Sequence, residues 1–234
     1  MANNNPPKFE AIIYEVTGPV ATITLNRPEM ANAQNTQLID EVDAAFDLAD
    51  ADDRVRVVVL AGRGRHFSSG HDLKALVGDT EPDEWRLMRE TPEGKYHHEK
   101  VMYFDRCLRI RNFRKPTIAA VQGKCIAAGV MLACMCDLIV ASDDASFQNP
   151  VLRMTGAAVE LLVEPWEMPA RKAKEFLLTA SVLTAVEAER LGMVNRVVPR
   201  DDLEDAVREM AETIAKVPPA TAQVVKRSIN KTLD

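Results

Sequence analysis

The chain has 234 residues, a net charge of −6 and 47% hydrophobic residues, which indicates one large globular domain, or one domain with a small appendage. The negative charge argues against general nucleic-acid binding, which depends on a basic surface. No apolar run approaches the roughly 20 residues that span a bilayer, and residues 1–7 lack the basic and apolar parts of a signal peptide. We therefore expect no nucleic-acid partner and no membrane partner.

The chain begins with a polar lead over residues 1–8, which we expect to be disordered. Two β-rich runs separated by Thr17-Gly18-Pro19 then predict a hairpin, because glycine and proline favour a turn. An amphipathic helix follows, and after it a valine-rich run with few polar positions favours a strand covered on both faces. The predicted bounds are residues 11–16 and 20–25 for the hairpin, 36–49 for the helix and 54–61 for the buried strand.

The segment over residues 76–96 is rich in charge, proline and glycine. It is interpreted either as a mobile flap over a site or as an ordinary exposed excursion. His97 and His98 at its end are expected to be exposed to solvent. A helix is predicted next, over residues 101–112.

The second half of the chain repeats the alternation of strands and helices, which is typical of α/β proteins. Thr184 with Glu187 three residues later predicts a capped helix start, and Gly192 predicts the end of that helix. No linker divides the chain into independent domains. The predicted strands are 116–121, 137–141 and 194–198, and the predicted helices are 127–135, 171–178, 184–191, 203–216 and 221–230.

The four cysteines are Cys107, Cys125, Cys134 and Cys136, and three of them lie close together in apolar sequence. No histidine stands near them at the spacing of a metal site. Buried free thiols are typical of a reducing compartment. The pattern predicts free cysteines, no metal site and a cytoplasmic protein.

Two strand-to-helix turns carry glycine and small residues, namely Gly70-His71-Asp72 and Ala127-Ala128-Gly129. Glycine permits a sharp turn and a close approach of a ligand to the main chain. The free N–H groups at the start of a helix point outward and favour negative charge. Two such groups that converge on one oxygen form an oxyanion hole, although either turn alone is weak evidence, because glycine-containing turns between a strand and a helix are common in purely structural roles.

Five further stretches occur in the order typical of one known family. They are Leu25-Asn26-Arg27-Pro28, residues 67–74 with the pattern F-x-x-G-x-D-L-K, and the matching stretches over 116–123, 135–141 and 185–199. Together they span about residues 9–230, and the chain therefore resembles the crotonase superfamily of enoyl-CoA hydratases and isomerases.

The resemblance implies an α/β fold of the crotonase (ClpP-like) type, a spiral of ββα units with two nearly perpendicular sheets. Residues 9–200 would form the spiral core and residues 201–234 a C-terminal helical segment, which is shorter than in most relatives. The resemblance also implies a homotrimer or a dimer of trimers.

The same resemblance assigns the oxyanion donors to the backbone N–H groups of His71 and Ala128. The substrate is expected to be an acyl-CoA thioester, so coenzyme A arrives as part of the substrate and no cofactor is bound permanently. Lys226 and Arg227 would contact phosphate, or else lie on a solvated helix face. The implied substrate-binding residues are Arg27, Ala31, Ser69, Gly70, Asp72, Leu73, Lys74 and Gly129.

Both glutamates that handle water in hydratases of this family are replaced. Met131 stands at the first position and Val151 at the second, and neither side chain can accept a proton. Glu160 lies near a position where other family members carry an acid. It is predicted to be the catalytic acid/base, with a surface glutamate as the alternative.

Three more side chains near these positions have two interpretations each. Trp166 would form an aromatic wall over the acyl group, beside Glu164 and Glu167, or would pack under the next helix. The His71 imidazole would act as a base, or only its backbone N–H would be used. Asp72 would cap or brace its turn.

The sequence therefore predicts an acyl-CoA enzyme of the enoyl-CoA hydratase/isomerase type that stabilises a thioester enolate. Isomerisation needs one acid/base and fits the missing pair better than hydration does. The alternative is an inactive homologue that binds acyl-CoA without chemistry. RNA binding is disfavoured by the acidic charge.

Overall fold

The computed structural model describes residues 8–77, 87–88, 90–155 and 162–233. The strands are β1 Ile12–Thr17, β2 Val20–Leu25, β3 Val57–Gly62, β4 Thr117–Val121, β5 Lys124–Ile126, β6 Leu138–Ser142, β7 Ser146–Gln148, β8 Leu183–Thr184 and β9 Arg196–Val198. The helices are α1 Thr36–Ala51, α2 Leu73–Val77, α3 Pro92–Glu99, α4 Asp105–Arg111, α5 Ala128–Cys134, α6 Val151–Thr155, α7 Glu164–Glu167, α8 Ala170–Thr179, α9 Ala185–Leu191, α10 Leu203–Ala215 and α11 Pro219–Leu233. A π-helical stretch, Lys100–Phe104, joins α3 to α4.

Two sheets organise the described chain. The larger has six strands in the order β1-β2-β3-β4-β6-β9, and the smaller has three in the order β5-β7-β8. Only the β1–β2 hairpin is antiparallel in the larger sheet, and its other pairs are parallel. The predicted α/β class and hairpin are confirmed.

Strand β3 is buried on both faces, as its valine-rich sequence predicts. Val58 and Leu60 belong to the main core, whereas Val57 and Val59 belong to a second core that includes residues of α10. The alternation follows from the two-residue period of a strand. Helices on both faces therefore fix β3, and the turn that follows it is held in place.

Capping residues mark the ends of two helices, and those of α9 are the predicted ones. The Asn35 side chain accepts a hydrogen bond from the N–H of Leu38 at the start of α1. Thr184 and Glu187 form a capping box at the start of α9, and Gly192 ends that helix in the left-handed conformation. These local signals set the bounds of α1 and α9 to within two residues of the predictions.

The interpretation of residues 76–96 as a flap or an exposed excursion is only partly tested, since residues 78–86 and 89 lie outside the described residues. Pro92–Glu99 is helical, with the Thr91 side chain as its N-cap. His97 is exposed as predicted, but the prediction for His98 is wrong because its side chain is 1% exposed. A helix turns successive residues toward different faces, so one histidine faces solvent and the next faces the core.

The C-terminal helix α11 is attached through a buried charge. The Nζ of Lys226 lies 2.9 Å from Oδ2 of Asp137 and also donates to the carbonyl of Lys115. Neither interpretation of Lys226 holds, since it is neither on a solvated face nor available to phosphate. Arg227 beside it is exposed.

Free thiols are confirmed, because all four cysteines are unbridged and Cys125, Cys134 and Cys136 are buried. Over the described residues, no helix is both long and apolar enough to cross a membrane.

Candidate active site

The two glycine-containing turns lie directly against each other. Ser68 and Cys125 form an isolated parallel bridge, in which the N–H of Ile126 donates to the Ser68 carbonyl at 2.9 Å. The turn after β3 and the turn before α5 are therefore joined by main-chain hydrogen bonds, so the starts of α2 and α5 face a common space.

Glycine is required at both turns because the backbones approach so closely. Gly70 has a φ of +91°, and a Cβ there would lie 2.9 Å from the carbonyl oxygen of Ile126 and 3.4 Å from the nitrogen of Ala128. A Cβ on Gly129 would lie 2.7 Å from the carbonyl oxygen of Ser68. Gly70 and Gly129 thus hold the two predicted donor segments in contact.

The two predicted donors have no hydrogen-bond partner for their N–H groups within the described part of the chain. Gln34 bonds on either side of His71, since its N–H donates to the Gly70 carbonyl and its carbonyl accepts from the N–H of Asp72. The carbonyl of Ala127 accepts from Val130 and Met131, whereas the N–H of Ala128 is in the first turn of α5. Unpaired N–H groups at such positions are suited to an oxyanion.

Ala127 is held in an unusual conformation, with φ 51° and ψ −116°. Its N–H donates to the carbonyl of Gln148 at 2.8 Å, which fixes that conformation. Backbone strain in a non-glycine residue persists only when its surroundings enforce it, and it concentrates at functional sites. The nitrogen of the next residue, Ala128, lies beside Gly70, 3.4 Å from the place that a Cβ on Gly70 would take.

Asp72 braces its turn, as predicted. Its Oδ1 accepts from the N–H of Ala75 in α2 at 3.3 Å, and its Oδ2 pairs with Arg27 at 2.9 Å. Burial raises the pKa of Asp72, but the hydrogen bonds from Arg27 and from the backbone outweigh burial and leave the pKa below its ordinary value. The carboxylate is therefore ionised and structural.

Several of the predicted substrate-binding residues adjoin this brace. Arg27 is turned inward and also donates to the carbonyl of Ala33. The N–H of Ser69 donates to the Ala31 carbonyl at 3.0 Å, which places those two residues side by side. Leu73 and Lys74 are exposed at the start of α2. Their contacts with coenzyme A remain a prediction.

A small apolar cavity opens beside the donor turns. It has a volume of about 30 Å³ and is lined by His71, Ala128 and Met131 on the side of the turns. Its other two walls come from α1 and from residues 102–110, with Leu38, Val42, Phe46, Met102, Tyr103 and Ile110 among the lining residues. Ion pairs join these two walls, between Arg106 and Asp40 and between Arg109 and both Asp43 and Asp47.

The sequence did not predict these walls. The apolar face of α1 was identified correctly, but a face that lines a cavity has the same sequence pattern as one packed into a core. The ion pairs between α1 and α4 join positions more than 60 residues apart, and no local signal reports them.

The two positions at which hydratases of the family carry glutamate lie in different parts of the structure. Met131 is 2% exposed and lines the cavity, and Val151 begins α6. Glu160, the predicted acid/base, lies outside the described residues.

Trp166 occupies a packing position. The guanidinium of Arg111 lies 4.4 Å from the centre of its ring, and the ring packs against the main core. Glu164 is buried and accepts a hydrogen bond from the amide of Asn149 at 2.8 Å. Trp166 does not line the cavity described above, so its contacts are those of the packing alternative.

Glu167 is mostly buried next to Arg111. Burial raises the pKa of its carboxyl to about 7, and the charge of Arg111 opposes this rise only in part. Between pH 4.5, the ordinary pKa of the group, and about pH 7, the native chain therefore keeps a proton on Glu167 that the unfolded chain has released. Stability contributed by this group is present at low pH and is lost as the pH rises through that window.

Replacing Glu167 by glutamine is expected to remove this loss of stability at rising pH, because the glutamine amide does not ionise. Each pKa unit corresponds to about 1.4 kcal/mol, so the variant should gain roughly 3 kcal/mol relative to wild type between about pH 5 and about pH 8. Urea unfolding at both pH values measures the change. Glu175→Gln, an exposed position in α8, is the control and should follow wild type. Equal pH slopes for wild type and Glu167→Gln would contradict the prediction.

Within the described ranges, no group of three or more His, Cys, Asp or Glu side chains could hold a metal ion. The predicted chemistry depends on backbone donors and side-chain acids.

The chain is similar in sequence and in fold to several known proteins. Residues 15–234 match the family described as Enoyl-CoA hydratase/isomerase. The protein EchA13 of Mycobacterium tuberculosis is 44% identical over 245 residues, which cover 99% of this chain and 77% of that protein. A crystal structure of a probable enoyl-CoA hydratase from Mycobacterium smegmatis is 50% identical, with a TM-score of 0.86, and the match covers 95% of this chain and 86% of that one.

A second solved structure, a monofunctional enoyl-CoA isomerase from M. smegmatis, is 30% identical, with a TM-score of 0.77. The match covers 96% of this chain and 94% of that chain. These likenesses confirm the predicted fold.

Proposed function

The chain belongs to the enoyl-CoA hydratase/isomerase family, and from that membership we propose that it binds an acyl-CoA thioester and stabilises its enolate in a hole formed by the N–H groups of His71 and Ala128. It is an enoyl-CoA hydratase/isomerase-like enzyme of fatty acid metabolism. Its substrates are acyl-CoA thioesters, with the thioester carbonyl as the group that the hole polarises.

The contact between Gly70 and Ala128 carries this proposal. It joins two N–H groups that have no partner within the described residues and that face a common space beside an apolar cavity. A single oxyanion donor contributes roughly 3–4 kcal/mol to a transition state in comparable enzymes. By stabilising the enolate, two donors make the α-proton of the thioester acidic enough for one acid/base to remove it.

Glu160 is the proposed acid/base. The cavity side of α5 presents the thioether of Met131 where hydratases of the family carry a carboxylate, which supports a mechanism with one proton-transferring group. Double-bond isomerisation moves one proton from one carbon to another and needs a single such group. We therefore favour isomerisation over hydration.

Glu160→Gln is expected to lower turnover of enoyl-CoA esters by roughly 10²–10⁴-fold, the usual contribution of a general acid/base. Binding of the thioester should change little, because the glutamine has nearly the same size. Product analysis across a panel of enoyl-CoA esters measures turnover, and equilibrium titration measures binding. Glu212→Gln, at an exposed position in α10, is the matched control. Unchanged turnover in Glu160→Gln would remove Glu160 from the mechanism.

A second function is favoured by the replacement of both usual glutamates. In that case the chain binds acyl-CoA and performs no reaction. Tight binding without any product across the whole panel would support this function and contradict catalysis.

We further propose that coenzyme A arrives as part of the substrate, that no cofactor is bound permanently, and that the protein works in the cytoplasm. Buried free thiols support the reducing compartment. We propose a homotrimer or a dimer of trimers. The exposed apolar residues Val224, Val225 and Ile229 on α11 support an assembly that covers them.

A further inference from the structure

The cavity beside the donor turns contains one polar side chain whose hydrogen-bonding groups are unused. Both ring nitrogens of His71 are buried and have no hydrogen-bond partner within the described residues. The ring lies against Tyr103, with 4.0 Å between the ring centroids. A buried polar atom without a partner costs about 1–3 kcal/mol, and each such group calls for an explanation.

The other polar side chains at the cavity are already engaged. Asp43 pairs with Arg109, and Arg106 pairs with Asp40. The amide of Gln34 donates to the hydroxyl of Ser68, which leaves the imidazole of His71 to meet a ligand.

His71 is also fixed with respect to the reacting carbonyl. Its backbone N–H is one of the two proposed oxyanion donors, and its side chain enters the cavity where the acyl chain would follow the carbonyl. The imidazole would therefore lie close to the first carbons of a bound acyl chain. Met131, which lines the same cavity, offers only a weakly accepting thioether.

We propose that the neutral His71 imidazole binds a hydroxyl group carried by the β-carbon of the acyl chain. This inference rests on the proposed function, because it takes the thioester carbonyl to be held by the N–H groups of His71 and Ala128. A cavity of about 30 Å³ has room for a group the size of a water molecule. A neutral imidazole has one donor and one acceptor, which match the acceptor and donor of a hydroxyl.

The surroundings of the ring keep it neutral. Burial, with a smaller contribution from the charge of His98, lowers the pKa of His71 to about 4. A carboxylate in place of the hydroxyl would lose its hydration without gaining a cation. The preferred acyl group is therefore polar but uncharged at its β-carbon.

The test compares 3-hydroxybutyryl-CoA with butyryl-CoA, which differ only in the β-hydroxyl. Wild type is expected to bind the hydroxylated thioester about tenfold more tightly, which corresponds to about 1.4 kcal/mol. In His71→Phe, which keeps the backbone N–H and an aromatic ring but removes both ring nitrogens, the ratio of the two dissociation constants should fall to about one. His97→Phe, at an exposed position, should keep the wild-type ratio.

A measurement on wild type keeps the test valid even if His71→Phe does not fold. In ¹⁵N-histidine NMR spectra, 3-hydroxybutyryl-CoA should shift the His71 ring nitrogens, whereas butyryl-CoA should leave them near their free values. Equal affinity for the two thioesters in wild type, or equal shifts with both, would overturn the role of His71 and leave the proposed function standing. Failure of both thioesters to bind would overturn the proposed function and the inference with it.

Discussion

Replacing Gly70 by alanine is expected to slow enolate formation by about 10²–10³-fold, the loss caused by one missing oxyanion donor. The new Cβ would lie 2.9 Å from the carbonyl oxygen of Ile126 and 3.1 Å from the Cβ of Ala127. Those atoms belong to the turn that positions the N–H of Ala128, so the turn must move for the methyl group to fit. Exchange of the α-proton of butyryl-CoA with deuterated water measures enolate formation whichever product follows.

The same substitution also strains the backbone, because Gly70 has a φ of +91°. A side chain in that region costs about 1–2 kcal/mol, which would lower stability without changing the chemistry. Gly192→Ala separates the two effects, since Gly192 has a φ of +87° with no atom within 4 Å of the added Cβ. Gly192→Ala should lose similar stability and keep the wild-type exchange rate. Wild-type exchange in Gly70→Ala would show that contact between the turns is not needed for the hole.

Much of the fold could be predicted because its signals are local. The valine-rich run of β3, the apolar face of α1 and the glycine that ends α9 each lie within one short segment. Such signals are strongest in long, periodic elements. Strands β5, β7 and β8 were missed because each has three residues or fewer, which is too short to show a period, and none contains adjacent valines as the equally short β9 does.

Errors arose where a distant residue decides the environment of a side chain. His98 is polar and follows a charged segment, yet it is buried with its ring 5.7 Å from that of Tyr103. Lys226 lies on a polar helix, yet its partner Asp137 is 89 residues earlier in the chain. A periodic pattern shows which face of a helix is apolar, but it does not show that a charge on that face has a partner.

The candidate site was predictable in its main-chain part only. Gly70 and Gly129 stand in a pattern specific to the family, and close contact requires glycine at both positions. The cavity walls depend on how α1 packs against residues 102–110, and the acid/base depends on the path of a segment around Glu160. Short motifs thus predict the backbone donors of the site, whereas the choice of reaction depends on how distant segments pack together.

The buried pair between Lys226 and Asp137 gives the other large expected effect. The side chains are 7% and 20% exposed, with 2.9 Å between Nζ and Oδ2. Asp137 also accepts from the N–H and the hydroxyl of Thr117, so it joins the start of β4 to the start of β6 and to α11. Burial raises the pKa of Asp137 although Lys226 lowers it, which shows that desolvation of the carboxylate is only partly compensated.

Replacing Lys226 by methionine is expected to destabilise the protein by about 3–5 kcal/mol at neutral pH, because it leaves a buried carboxylate without its cation. Urea unfolding measures the loss, and it should shrink as the pH falls, since Asp137 can then take up a proton. Adding Asp137→Asn should recover part of the stability by removing the charge. Lys231→Met, at an exposed position of the same helix, should change stability by less than about 0.5 kcal/mol. A loss in Lys226→Met no larger than in Lys231→Met would show that the pair contributes nothing to holding α11 on the core.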